Sequence, residues 1–476
     1  MKAFFDVIAQ PWIPVVDLQG ERKELGILDV LTHAHELKRI QDSSPLVEYS
    51  VYRFLIVFLM DAFRPETEED LQDYLSEEQF DPEVLNTYIA QCRAEGVSFD
   101  LFDEKRPFMQ SVYREEWDRE PKPAGVMDYT VPSGNNPIHF DHCRKREHYS
   151  PGKALRMLLE AQIFCTAGAQ DYPSNVNGAP PWYAMVDGEN LFQSLVFSMI
   201  STDSIDIPFD EPPVLWRCNE PIIWKQKIAK TSWLMGMLFP ARRIHLIPRE
   251  DGTVGEIYLS QGMNYISTSW LDPHVTYRYN DKGRFNWKPS DDEAVWRNIR
   301  DLMDIRKQHA PQIVAQYRGM NYENEFVPLI LYGVQTSKAS YLSVRRHDLK
   351  LPNALLGDED VLNFLQKYIR ASEALAKAVC QSIQSEEIPQ EMQSQARQHF
   401  HGMCEKEMWS LMEGLERQED LDELYCTELE TLCAFARESA KWAIEQLNLR
   451  GKTMLKVMKN QQLTFAKTIK ALKKEG

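Results

Sequence analysis

The sequence predicts an α+β protein in two parts: a large, irregular, mixed α/β domain over residues 1–350, followed by an antiparallel four-helix bundle over residues 358–476. Three observations lead to this prediction. The first part alternates short β-type apolar runs with helical patterns and frequent prolines and glycines. The second part contains four long amphipathic patterns with short breaks between them. The loop-rich stretch LPNALLG, residues 351–357, separates the two.

The N-terminal part contains the clearest strand and helix patterns of the mixed domain. The strands are expected at Trp12–Val16, Arg243–Ile247 and Glu256–Ser260. Apolar residues three or four apart predict helices over Leu46–Phe63 and Ser150–Phe164. Ser150 can cap the second helix, and Pro151 suits its first turn because that position needs no N–H donor.

The C-terminal part is predicted as four helices, at Asp358–Gln384, Pro389–Glu416, Glu419–Leu447 and Arg450–Lys474. In the last helix an a/d-type seam is expected at Leu455, Met458, Gln462, Phe465, Ile469 and Leu472. Gln462 is its only polar member, and the lysines lie off the seam. Short links between amphipathic helices favour an antiparallel bundle.

The composition fits a folded protein of the cytoplasm. Hydrophobic residues make up 43% of the chain, which is ample for packed cores. The longest apolar run, residues 54–60, is far shorter than the ~20 residues of a membrane span. The first residues, MKAFFDVIAQPWIP, contain no signal-type apolar core. The eight cysteines form no C-x-x-C pair, which indicates reduced thiols rather than a zinc ribbon or a disulfide framework.

The charge is unevenly distributed along the chain. The net charge is −17, which argues against a general nucleic-acid binder. Residues 450–476 nevertheless carry eight basic residues against one acidic residue, so the rest of the chain carries −24. Any contact with phosphate is therefore expected to be local. Solvated surface is the simpler interpretation of any single basic cluster.

No motif of a known catalytic class is complete. Position 446 is Gln, so Gly451-Lys452-Thr453 does not end a P-loop. The cluster of His139, His142, Cys143 and His148 matches no zinc spacing, and we expect neither metal nor cofactor. His347-Asp348 is the dipeptide of HD-type metal-dependent phosphohydrolases, but an ion pair of Asp348 with Arg345 or Arg346 explains it more simply.

Two polar, turn-forming stretches could approach a nucleic acid. Gly168-Ala169-Gln170-Asp171, followed by SNVNGAPP, comes directly after a helix, and its small residues would let backbone lie close to a groove. Gly333–Lys338 follows the apolar run Val327–Leu331 and is expected to form a polar loop at a strand end. Each stretch alone is more typical of an ordinary connector.

Ten short motifs in order resemble one family along essentially the whole chain: FFDVIAQPWIPV, LGILDVLTHAHEL, SPLVEYSVYRFLIVFL, PFMQ (107–110), NNPIHFDH (135–142), SPGKALRMLLEAQIFCTAGAQ (150–170), FPARRIHL (239–246), WLDPH (270–274), VRRHD (344–348) and ARQHF (396–400). This family is the large subunit of the type I-E CRISPR surveillance complex, Cascade.

The resemblance implies a non-catalytic subunit of an RNA-guided antiviral complex. Such a subunit lies near the 5′ end of the guide RNA, beside the other Cascade subunits. It recognises the protospacer-adjacent motif in duplex DNA, helps to start strand separation, holds the displaced strand and helps to recruit the helicase-nuclease. The alternatives are a metal-dependent nuclease that uses His347 and Asp348, or a scaffold subunit without DNA contact.

The resemblance also implies candidate nucleic-acid-binding residues. Asn136, Phe140, Asp141 and His142 fall in the loop near the guide-RNA end. Gly168, Ala169 and Gln170 fall where relatives carry a glycine-rich loop that faces the minor groove, although this chain lacks the further glycines. Gln335, Thr336, Ser337 and Lys338 fall at the wedge that opens the first base pairs, with Gln335 and Lys338 both candidates for its tip. Phosphate contacts are expected from the last helix, at Lys456, Lys459, Lys467 and Lys470.

Overall fold

A computed structural model describes most of the chain: residues 3–129, 148–168, 172–219, 222–281, 283–290, 294–307, 309–320, 324–337, 340–385, 388–415, 420–447 and 449–475. Within these ranges the helices are α1 Ile27–Thr32, α2 Pro45–Phe63, α3 Glu68–Glu77, α4 Pro82–Ala94, α5 Pro151–Ile163, α6 Leu191–Ser198, α7 Trp233–Met237, α8 Ile299–Met303, α9 Gln312–Gly319, α10 Glu359–Ser382, α11 Gln390–Gly414, α12 Leu421–Leu447 and α13 Gly451–Glu475. None of the helices in the described ranges is both long and apolar enough to cross a bilayer.

Most of the strands are short, and they form several small sheets. They are β1 Ile13–Asp17, β2 Arg22–Leu25, β3 Leu37–Ile40, β4 Lys122–Pro123, β5 Tyr183–Val186, β6 Lys227–Ile228, β7 Arg242–Pro248, β8 Val254–Gln261, β9 Asn264–Tyr265, β10 Tyr277–Asn280, β11 Gly283–Asn286, β12 Phe326–Ser337 and β13 Ser340–Pro352. The three-stranded sheets have the orders β2-β1-β3, β4-β8-β7 and β13-β12-β5. The predicted mixed α/β class with a helical C-terminal region is confirmed.

The chain divides into two compact units. The first comprises residues 1–291, 311–323 and 327–350, and the second comprises 292–310, 324–326 and 351–476. Residues 292–310, which the sequence analysis assigned to the N-terminal part, therefore group with the C-terminal helices. In that unit the indole of Trp296 is fully buried and packs edge-on against Tyr368 of α10, with ring centroids 6.5 Å apart.

The core of the first unit surrounds α2. This helix was predicted as amphipathic, but every residue from Leu46 to Asp61 is buried. A helix that is apolar nearly all round is enclosed by other elements. Here α5, α6, α7 and α4 pack against it. Its N-terminus begins at Pro45, whose missing N–H would have no partner in the first turn.

The packing of the four long C-terminal helices is compatible with the predicted antiparallel bundle. The Cys380 thiol, near the end of α10, donates to the Gln393 carbonyl near the start of α11 (3.5 Å). His399, early in α11, stacks on Trp442, late in α12, with ring centroids 4.8 Å apart. The α13 amide of Asn460 donates to the Gln381 carbonyl at the C-terminal end of α10 (2.7 Å). Each pair joins opposite ends of consecutive or neighbouring helices, as antiparallel packing requires.

Candidate nucleic-acid interface

The small-residue stretch after α5 is held at both ends by one arginine. Gly168 follows the helix, and its amide donates to the Tyr172 carbonyl (3.3 Å). The Arg242 guanidinium donates to the Thr166 carbonyl before the stretch (2.8 Å) and to the Pro173 carbonyl after it. It also lies over the Tyr172 ring, 4.8 Å from the centroid. The fork of Arg242 therefore fixes the two ends of residues 168–172 relative to each other. Ala169 and Gln170 lie outside the described residues.

The predicted polar loop at Gly333–Lys338 is wrong in one respect, because β12 continues to Ser337. Gln335 lies inside this strand with 6% of its surface exposed. Its amide oxygen accepts from Arg345 Nη2 and from the Ser343 hydroxyl, each at 3.1 Å. Thr336 is half-buried and Ser337 is exposed. Gln335 thus links the end of β12 to β13, and exposure increases from Gln335 to Ser337. Lys338 lies outside the described residues.

The structure brings this hairpin and the α5 stretch together through Tyr341 of β13. The Tyr341 hydroxyl donates to the Phe164 carbonyl (3.1 Å) and accepts from the Thr166 amide (3.3 Å). Burial raises the pKa of this hydroxyl well above its ordinary value, so it stays protonated as the donor. Two segments that are 177 residues apart in sequence thereby share hydrogen bonds.

Tyr129, in the segment that precedes the third predicted element, packs against Tyr341. The ring of Tyr129 stacks on Tyr341 with centroids 4.1 Å apart and planes 12° apart. Its hydroxyl donates to the Ala161 carbonyl (3.0 Å), and its amide donates to Glu160 Oε1 (3.1 Å). Tyr129 is the last described residue before 130–147, the segment that holds Asn136, Phe140, Asp141 and His142; these four lie outside the described residues.

A cavity of about 200 Å³ lies among these residues. Tyr129, Tyr172, Tyr341 and Arg242 contribute side chains to its wall, and Thr166 and Gly168 also line it. The sequence analysis missed the four side chains. Arg242 stands in the motif FPARRIHL, but sequence alone does not reveal that its partners are carbonyl groups 69 and 76 residues away.

The stretch SNVNGAPP makes hydrogen bonds that fix the path of the chain after α5. The Asn175 amide donates to the Gln162 carbonyl (2.7 Å) and so caps the C-terminal end of α5. The Asn177 amide donates to Asp272 Oδ2 (2.6 Å), a fully buried carboxylate. These contacts fix where the chain goes after Gly168 and Tyr172.

Asp272 belongs to a buried ion pair beneath this region. Arg53 of α2 binds both its carboxylate oxygens, at 3.1 and 2.7 Å. Burial alone would raise the pKa of Asp272, but the Arg53 guanidinium outweighs it and leaves the pKa lowered. Burial lowers the pKa of the neighbouring His274 to about 4, so its ring is neutral. Its Nε2 donates to the Ser198 carbonyl (2.9 Å), and Nδ1 accepts from the Tyr49 hydroxyl (2.9 Å). The motifs SPLVEYSVYRF and WLDPH therefore meet in a structural core.

His347 and Asp348, the dipeptide of the nuclease alternative, are held in structural contacts. They are consecutive residues of β13, so their side chains point to opposite faces of the strand. Asp348 accepts from Arg346 Nε (3.2 Å), the ion pair expected from sequence, and the His347 ring packs edge-on against Trp182 at 5.4 Å. Among the described residues no group of three or more His, Cys, Asp or Glu side chains could hold a metal ion.

The last helix, α13, differs from the expected seam in its first half. Leu455 is 68% exposed and Met458 is 45% exposed, whereas Val457 is buried. Phe465 and Leu472 are buried as predicted. The seam was placed wrongly because Val457 is buried in place of its neighbours, and the Asn460 amide bonds the carbonyl groups of Gln381 and Ser382 at the C-terminal end of α10. Lys456, Lys459, Lys467 and Lys470 are exposed.

Comparison with known proteins identifies the family. The family model described as CRISPR-associated protein Cse1 matches residues 6–442. The CRISPR-associated protein CasA/Cse1 of Thermus thermophilus is 28% identical over 401 residues, which are 79% of this chain and 76% of that protein.

Solved structures share the fold. The structure of Thermus thermophilus CasA (Cse1) superposes with a TM-score of 0.80 at 22% identity and covers 99% of this chain and 100% of its own. A chain of a CRISPR RNA-guided surveillance complex superposes with a TM-score of 0.78 at 17% identity, over 97% of this chain and 100% of its own. The family match confirms the resemblance carried by the sequence motifs. The chain therefore belongs to the CRISPR-associated protein Cse1 family, the family of the large subunit of type I-E Cascade.

Proposed function

We propose that this chain is the non-catalytic large subunit of an RNA-guided surveillance complex, and that it reads a short motif beside the target in duplex DNA and helps to open the first base pairs. The observation that carries the proposal is the meeting of three segments at one cavity. Tyr341 joins the β12–β13 hairpin to the residues that follow α5 and stacks on Tyr129, the last described residue before 130–147. Arg242 lines the same cavity and holds Thr166 and Pro173.

The chemistry of the stretch after α5 suits the minor groove. Gly168 and the following small residues leave room for a close approach of backbone to DNA. Minor-groove readout mainly separates A·T from G·C, so such a reader tolerates several motifs. Because this chain carries Ala169 and Gln170 where relatives have glycines, we expect its motif preference to differ from theirs.

The hairpin is suited to separating strands because its exposed end is polar and the two strands are joined just behind that end. Opening a duplex costs about 1.4 kcal/mol of stacking per base-pair step, which pairing with the guide RNA then offsets. Thr336, Ser337 and Lys338 would contact the first base pairs. Gln335 supports them from inside the strand through Arg345 and Ser343.

We further propose that the exposed lysines of α13 contact the phosphates of the displaced strand or of the guide–target duplex. The partners in this proposal are the guide RNA, the other subunits, the target DNA and a helicase-nuclease. The chain would supply recognition and a docking surface, while the effector cuts.

The experiment compares duplex and pre-opened targets. Thr336, Ser337 and Lys338 are replaced together by Ala in the assembled complex. We expect affinity for a closed duplex to fall about tenfold for each base-pair step no longer opened, with affinity for a target already unpaired beside the motif nearly unchanged. Thr253→Ala, in the β7–β8 turn, is the control. Equal losses on the two targets would contradict a role in strand opening.

A further inference from the structure

Four side chains of the cavity connect the described residues after α5, the β12–β13 hairpin and the segment that ends at Tyr129. We call them the clasp: Tyr129, Tyr172, Arg242 and Tyr341. Tyr341 is the clasp member that lies on the hairpin, in β13. Its hydroxyl holds backbone atoms on both sides of residue 165, the Phe164 carbonyl and the Thr166 amide. Its ring stacks on Tyr129. Arg242 continues the connection from Thr166 to Pro173.

Two members of the clasp are hydrogen-bonded to the backbone of a helix and a strand. The rim of the cavity lies at the C-terminal end of α5, where Ala161 accepts from Tyr129 and Asn175 caps the last turn. The Tyr172 hydroxyl donates to the Leu259 carbonyl of β8 (3.1 Å) and accepts from Lys122 Nζ (3.1 Å). Tyr129 and Tyr172 are thereby anchored to backbone carbonyl groups of α5 and β8.

We propose that the clasp is a positioning element that links motif reading to duplex opening, with the Tyr341 hydroxyl as the connection. Motif reading then favours duplex opening, and duplex opening favours motif reading. This inference rests on the proposed function. When the stretch after α5 binds the correct motif, the Thr166 amide and the Phe164 carbonyl hold Tyr341, and with it the β12–β13 hairpin, in the opening position. By thermodynamic reciprocity, engagement of the hairpin strengthens motif binding to the same degree.

Tyr341→Phe tests the connection with little change in shape. The variant keeps the stacked ring and removes only the hydroxyl, and with it two hydrogen bonds to backbone. The matched control is Tyr52→Phe, which removes a hydroxyl that accepts from the Ile40 amide (3.1 Å) elsewhere in the same unit. Each variant removes one buried hydroxyl, so a general fall in stability would affect both.

The measured quantity is the dependence of opening on the motif. Affinities of the assembled complex are measured for closed and pre-opened targets, each with a preferred and a scrambled flanking motif. The preference for closed over pre-opened target is then compared between the two motifs. The closed-over-pre-opened preference with the preferred motif is divided by the same preference with the scrambled motif. We expect this ratio to fall roughly three- to tenfold in Tyr341→Phe, because one or two hydrogen bonds are lost. It should be unchanged in Tyr52→Phe.

A second readout follows the hydrogen bond itself. The Thr166 amide donates to the Tyr341 hydroxyl, so its hydrogen exchange should accelerate in the full chain carrying Tyr341→Phe and stay unchanged in Tyr52→Phe. An unchanged ratio in Tyr341→Phe, or an equal fall in the control, would overturn the clasp as a positioning element. A wild-type complex without any motif preference would instead overturn the proposed function on which it rests.

Discussion

Glu428 of α12 is a buried acid without a partner for one of its oxygens. The residue is 7% exposed, and within the described part of the chain its Oε2 has no hydrogen-bond partner. Burial, with the nearby Glu407 carboxylate, raises the pKa of Glu428 from 4.5 to about 7. The folded protein therefore holds this side chain protonated under conditions where the unfolded chain has released the proton.

This shift predicts a loss of stability as pH rises. Below pH about 4.5 both states are protonated, and between about 4.5 and 7 only the unfolded chain ionises, so the free energy of unfolding falls. Glu428→Gln should remove the free-energy cost of keeping this carboxyl protonated in the folded protein. It should therefore stabilise the protein at pH 8 by roughly 1–3 kcal/mol, with little effect at pH 4.5. Urea unfolding at both pH values checks this. Glu445→Gln, at an exposed position of the same helix, is the control, and an equal gain there would contradict the account.

At the scale of the helix, α13 has a buried face that packs against its neighbours and an exposed face that carries lysines. Leu455 is 68% exposed, whereas Phe465 is 5% exposed. Phe465→Ala should therefore lower the free energy of unfolding by about 3 kcal/mol or more, because apolar burial is removed and a cavity is left. Leu455→Ala should change it by about 0.5 kcal/mol or less. Denaturant unfolding of the two variants distinguishes this packing from the seam predicted by sequence, in which both would cost a similar amount.

The basic side of the same helix predicts a salt effect. Changing Lys456, Lys459, Lys467 and Lys470 to Gln should leave the fold intact, because exposed charges contribute little to stability. DNA binding by the complex should weaken about equally for all sequences, since phosphate contacts carry no base information. The slope of log affinity against log salt should flatten by about 0.7–0.9 for each phosphate that the variant no longer neutralises.

The control for this salt effect uses exposed lysines on the other helices of the unit. Lys377, Lys406 and Lys441 changed together to Gln remove a similar charge from α10, α11 and α12. Their salt slope should match that of the wild type. If the four α13 substitutions preserve helicity and also leave the slope unchanged, these lysines do not contact nucleic acid.

At the scale of the whole molecule, the sequence predicted those elements that local periodicity and capping determine. The four long helices α10–α13 and α5 with its Ser150 cap follow from periodicity and capping, and Ser150 does accept from the Lys153 amide (3.2 Å). The predicted end of β12 was wrong because Gly333 and polar Gln335 interrupt the apolar pattern. Their burial comes from tertiary partners such as Arg345.

The geometry of the site depends on contacts that sequence order conceals. Arg53 and Asp272 are 219 residues apart, and Tyr341 is 177 residues from the carbonyl it binds. Sequence periodicity does not indicate such pairs, because they form only when separate elements pack together. The motifs identified the family, and the fold then revealed that several of them serve the core, while Arg242 and Tyr341 organise the candidate interface.

The central claim is that this chain gives the complex its preference for a flanking DNA motif, and one measurement tests it most directly. A complex is assembled from the neighbouring gene products and guide RNA, with and without this chain, and is incubated with duplexes whose flanking motif is randomised. Bound and unbound duplexes are then sequenced. We predict enrichment of a subset of motifs, mainly distinguished by A·T against G·C, only when the chain is present. The same distribution of motifs with and without the chain would contradict the account.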